Sequence, residues 1–80
     1  MPGNELKNIS LKLFRNYLYS KGLKVIRITG GHEIWGGKQL KRPIVLQTHI
    51  DPVPEFIIRN NLRTIGLTAY DLIEFCKSGS

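Results

Sequence analysis

The sequence predicts an α+β domain: one helix, a three-stranded antiparallel meander, then a helix and a short last helix. The helices cover one face of the sheet and leave the other open. Three observations predict it. Apolar residues recur at helical spacing near the start and again after Pro54. Short runs rich in β-branched residues lie between them. The loops joining those runs are too short for crossovers, so the strands return antiparallel. Eighty residues make one domain, with Ser78-Gly79-Ser80 as a loose tail, and 41% hydrophobic content supports a core rather than a disordered basic segment. A chain this short buries only about 60% of its unfolded surface, so that core has little to spare.

Asn4 is placed to cap a first helix running to about Lys21. Leu6, Ile9, Leu13 and Tyr17 step by three and four, and Leu11, Phe14 and Leu18 form an adjacent line, giving a stripe wide enough for a helix laid on a sheet. Gly22 ends it as a C-terminal cap. Leu23 to Thr29 reads as a strand through Val25, Ile26, Ile28 and Thr29. Gly30-Gly31 then makes a tight hairpin needing positive φ, and His32-Glu33-Ile34-Trp35 is the returning strand. Gly36-Gly37 opens a loop carrying Lys38, Lys41 and Arg42. Pro43 leads into a third strand, Ile44 to His49, with Ile44 and Leu46 on a buried face and Gln47 and His49 on a wet one. After the rigid connector Asp51-Pro52-Val53-Pro54, a helix from about Pro54 to Ile65 buries Ile58, Leu62 and Ile65, and Gly66 caps it. Thr68 to Asp71 resembles a capping box opening a short last helix through Phe75.

The net charge of +6 is unevenly placed. From Leu6 to Ile50 there are nine basic residues and one acid, Glu33; from Asp51 onward acids slightly outnumber bases. A field this lopsided attracts a polyanion, of which nucleic acid is the commonest, or it serves only to keep a small protein in solution. No apolar run exceeds three residues, so no membrane span is expected, and the first five residues lack the layout of a secretory signal. The single Cys76 excludes an internal disulfide framework and a cysteine-cluster zinc site, and fits a reducing cytoplasm. It reads as a core residue, since no helix N-terminus or basic cluster would activate it.

His32 is the sharpest candidate for chemistry. It follows two glycines whose bare backbone lets a phosphate approach, and turn N–H groups can cradle an anion. A histidine there exchanges protons near neutral pH, or is simply a polar turn residue. His49 is a second acid/base group, a phosphate contact or a strand-capping residue. The two histidines lack metal-ligand spacing and a third ligand, so neither a metal nor another cofactor is expected. Trp35 stacks on an unpaired base or packs in the core. Arg27, Lys38, Lys41 and Arg42 flank the glycine turns as phosphate contacts or as a solvated sheet edge. There is no Walker A loop and no paired-carboxylate or Ser/His/Asp signature.

Leu18-Tyr19-Ser20-Lys21-Gly22-Leu23 followed by Arg27-Ile28-Thr29-Gly30-Gly31-His32-Glu33-Ile34-Trp35 resembles the HicA-type toxins of bacterial type II toxin–antitoxin systems. Val45-Leu46-Gln47-Thr48-His49 falls where that family has a third strand ending in histidine, and Leu62, Ile65, Gly66, Leu67, Thr68 and Phe75 match its C-terminal pattern. The resemblance runs from about Leu11 to the end. It implies a small relative of the double-stranded-RNA-binding domain with α-β-β-β-α order. It also implies an mRNA interferase, a metal-independent endoribonuclease that blocks translation, and a HicB-type antitoxin as partner. The family's catalytic histidine carries over to His32. Gly31 stands where the family usually has serine. Without catalysis, the same basic face would make a non-catalytic RNA-binding module or a degenerate toxin acting through its antitoxin.

Overall fold

Local sequence signals account for most element boundaries in the computed structural model, which describes residues 6–78. The elements are α1 (Leu11–Ser20), β1 (Lys24–Thr29), β2 (His32–Gly36), β3 (Ile44–Gln47), α2 (Glu55–Ile65) and α3 (Ala69–Lys77). The strands pair antiparallel in the order β1-β2-β3, so the predicted α+β meander with helices packed on the sheet is what forms.

The first helix begins later than predicted. Asn4 lies outside the described residues, and the cap is Ser10, whose Oγ accepts from the Leu13 N–H at 3.0 Å. The Asp51 Oδ1 accepts from the Leu11 N–H at 2.9 Å, so a connector 40 residues away satisfies a second amide of the first turn. Asn8, at φ 60°, interrupts any earlier helical path. Leu6 and Ile9 are nevertheless buried: a segment before α1, with Leu6 in 3₁₀ geometry, delivers them to the core.

The predicted stops hold. Gly22 takes φ +84° after α1; the Leu23 N–H reaches the Leu18 carbonyl and the Gly22 N–H that of Tyr19, the Schellman pattern. Gly66, at φ +88°, ends α2 the same way, with the Leu67 N–H on the Leu62 carbonyl. The Thr68 hydroxyl caps α3 by accepting from the Asp71 N–H. That helix extends past Phe75 to Lys77, and Ser78 is its C-cap rather than tail. Gly79 and Ser80 lie outside the described residues.

Side-chain alternation sorts the sheet faces. Glu33 and Trp35 of β2, with Ile44 and Leu46 of β3, point into the core beside Phe14, Tyr17 and Leu18 of α1 and Ile58 and Leu62 of α2. The Arg15 guanidinium pairs with the Glu33 carboxylate at 2.6 Å, the Trp35 Nε1–H donates to the same carboxylate at 3.1 Å, and Tyr19 packs edge-on against the Trp35 ring. These contacts seat α1 over β2. They also leave β1 beyond the helical layer, and Ile26 and Ile28 are exposed on it despite their strand-forming character. A β-bulge between Val25 and Arg27 twists that edge, a device that discourages edge-to-edge pairing.

A second polar seam joins α1 to α3. The Tyr17 hydroxyl donates to the Asp71 carboxylate at 2.6 Å, and the Lys21 ammonium sits 2.9 Å from the same oxygen. Those two contacts hold the Asp71 carboxyl below its ordinary range, while burial and the Asp71 charge raise the Tyr17 phenol. Among the described residues, no helix is long and apolar enough to cross a membrane.

Candidate functional site

The site grows from the hairpin between β1 and β2. Thr29 and His32 are Cα partners, so Gly30 and Gly31 alone make the turn. Only Gly30 has positive φ, at +59°, the pattern of a type II′ turn, so one glycine rather than two carries the conformational demand. Among the described residues, neither the Gly30 nor the Gly31 N–H has a hydrogen-bond partner. The Gly31 carbonyl is bound twice, by the Thr48 N–H at 2.8 Å and the Thr48 hydroxyl at 3.2 Å. The end of β3 is thereby clamped to the turn.

That clamp brings the second histidine into place. β3 ends at Gln47, two residues short of the predicted strand end, so His49 lies in the turn that follows. Its ring covers Gly31: a Cβ built on that glycine would meet the His49 Cε1 and Nδ1 at 2.7 Å. The glycine found where the resembling family has serine is therefore space that the imidazole fills. A side chain at position 31 requires the ring to swing away.

His32 itself is exposed on the open face of the sheet. The register places Thr29, His32 and Gln47 in one row across the three strands, and Arg27, Ile34 and Val45 in the next. Arg27 is thus one two-residue step, about 7 Å, from the His32 row. Lys38, Lys41 and Arg42 are exposed in the loop beyond Gly36, at the opposite end of the sheet. β2 separates that loop from His32 by about 14 Å of strand. The structure therefore gathers Gly30, Gly31, His32 and His49 at one end, sets Arg27 between, and keeps the three loop cations apart.

Trp35 is a correction. Its relative exposure is 0%, and its Nε1–H is committed to Glu33, so its ring is closed to an incoming base and packs in the core. Cys76 is half-buried, and burial pushes its thiol above the ordinary value, away from thiolate chemistry. Among the described residues, no group of three or more His, Cys, Asp or Glu converges as a metal site.

Sequence reasoning missed a groove of about 350 Å³ between β3 and α2. His32 and Gln47 stand on its rim, Val45, Ile50 and Ile57 line it, and Phe56 borders it with 66% of its surface exposed. The available signal was Phe56 itself, a large apolar residue off the Ile58–Leu62 stripe. No protein-family model, curated protein or solved structure matches this chain.

Proposed function

We propose that this protein is an RNA endonuclease of the kind its sequence resembles, a HicA-type mRNA interferase working in the cytoplasm and restrained by a HicB-type antitoxin. The single observation that carries the reading is the exposed His32 next to a glycine turn whose two N–H groups have no partner among the described residues. In that arrangement His32 removes the proton from a ribose 2′-OH. The 2′-oxygen attacks the adjacent phosphorus, and the bond to the 5′-oxygen breaks. The leaving 5′-oxygen takes a proton from the His49 imidazolium or from water, giving a 2′,3′-cyclic phosphate and a 5′-hydroxyl. The Gly30 and Gly31 N–H groups, with Arg27 one row away, stabilise the charge that grows on the phosphate. One histidine in acid/base work supplies on the order of 10²–10⁴-fold.

The test is induced expression of wild type and His32→Ala with RNA integrity followed, together with cleavage of a defined RNA in EDTA. Wild type should yield cyclic phosphate ends in EDTA, and His32→Ala should lose on the order of 10²–10⁴-fold in rate while still binding RNA. RNA decay and growth arrest undiminished in His32→Ala remove His32 from the chemistry. A second reading, a non-catalytic RNA-binding module, is favoured by the loop cations lying far from His32. It predicts salt-sensitive binding with no cleavage by wild type.

A further inference from the structure

The groove beside His32 is a feature of the surface that the reaction above leaves unused. It has three properties that belong together. Its volume of about 350 Å³ falls at the lower end of small-ligand sites, roughly 300–1,000 Å³. It is bordered by an exposed aromatic ring, Phe56, in the first turn of α2, where the side chain points away from the buried stripe. It shares His32 and Gln47 with the open face of the sheet, where those two residues are direct cross-strand partners. Among the described residues, no carboxylate lines it, so nothing in its wall repels a polyanion.

We propose that this groove is a nucleobase subsite, taking an unpaired base next to the phosphate at His32. The inference rests on the RNA reading above and names its substrate class: single-stranded RNA. Phe56 stacks on the face of the base, Val45, Ile50 and Ile57 supply the apolar wall, and the Gln47 amide hydrogen-bonds the base edge. A paired base keeps its faces stacked on its neighbours and cannot enter, so the groove selects unpaired RNA. An aromatic platform is sequence-tolerant, because every base has a π-face. Gln47, able both to donate and to accept, is the group that gives the groove a preference. A helix of a partner protein would need a longer apolar surface, since stable protein interfaces bury about 800 Å² per partner.

The experiment measures binding of a 2′-O-methyl RNA nonamer carrying one 2-aminopurine, which the chain can bind but not cleave by attack of the 2′-oxygen. Wild type should quench the 2-aminopurine. Phe56→Ala should bind about ten-fold more weakly and lose the quench, Phe56→Tyr should restore both, and the salt dependence should stay unchanged. Gln47→Ala should flatten the preference among nonamers that differ only in the base at the probe position. A fully paired duplex of the same sequence should compete poorly. Phe56 is exposed, so its replacement should leave the thermal melt unchanged. If wild type binds no RNA, the RNA reading falls and the groove assignment with it. If wild type binds and Phe56→Ala binds and quenches equally, the groove assignment alone is wrong. Unchanged RNA binding together with an altered sedimentation mass gives the groove to a second copy of the chain, which also overturns it.

Discussion

The two ends of the sheet carry different groups. The hairpin end holds two imidazoles, a glycine turn and the apolar groove. The far end holds Lys38, Lys41 and Arg42 in a loop. Under the function proposed above, the first would meet one phosphate and one base, and the second would attract the strand. A net charge of +6 looked like one property in the sequence, and the fold sets three of its cations, Lys38, Lys41 and Arg42, apart from His32 by the length of β2.

That division can be broken by experiment. The largest effect should come from Lys38→Ala, Lys41→Ala and Arg42→Ala together. If each holds one phosphate, losing all three should weaken binding to single-stranded RNA on the order of 10²-fold at 0.1 M salt and flatten the log–log salt slope by roughly 2. The rate at saturating RNA should not change. A matching fall in that rate would show that the loop reaches the reacting phosphate, and the two ends would then be one site.

Next in size is Glu33→Gln, which acts on the core side of the strand that joins the ends. It removes the charge-assisted bonds from Arg15 and weakens the acceptor for Trp35, so stability should fall by about 2 kcal/mol in urea unfolding. RNA affinity should hold at native temperatures. Gly31→Ser should be smaller again. It needs the His49 ring to move off position 31, and the His49 imidazole resonances should shift with it. A drop in cleavage of several-fold would show that the ring's place over the turn matters; an unchanged rate would leave His49 outside the reaction.

The smallest change should follow acidification. The Asp71 carboxyl is held low by the Tyr17 hydroxyl and the Lys21 ammonium, so its contribution to stability is complete above the ordinary aspartate range. It is lost as pH falls through the lowered value. A plot of Tm against pH should steepen there for wild type and less so for Asp71→Asn. The far-end loop meets this seam at its backbone, where the Gln39 amide donates to the Lys21 carbonyl at 2.9 Å, and not at the Asp71 carboxylate, so RNA affinity normalised to folded protein should follow wild type in the variant.

Much of this was legible in the sequence because the signals are local. Glycines at 22, 30 and 66, the Thr68 cap and the Ile44/Leu46 alternation each act within a few residues. Long-range contacts were not legible. The start of α1 depends on Asp51, the place of Trp35 on Glu33 and Arg15, and the position of His49 on a clamp between Thr48 and Gly31. Apolar spacing at Leu6 and Ile9 reported burial correctly but not the start of α1, since a segment before the helix can fill the same positions. His32 could be picked out beside its turn, whereas its separation from the loop cations appears only once the register of β2 is known.

The bond from the Leu11 N–H to Asp51 has a consequence for the order in which the chain matures. α1 has ten residues, and isolated helices below about 12–15 residues are marginal in water. Its first turn is completed by the connector after β3, which also receives the Ile9 carbonyl on the Val53 N–H. His49 lies in the short stretch between β3 and that connector. During synthesis the first turn of α1 therefore lacks its Asp51 acceptor until a segment 40 residues later has been made. A ribosome-bound chain ending before Asp51 carries His32 on an unfinished scaffold, with the first turn of α1 short of its Asp51 acceptor.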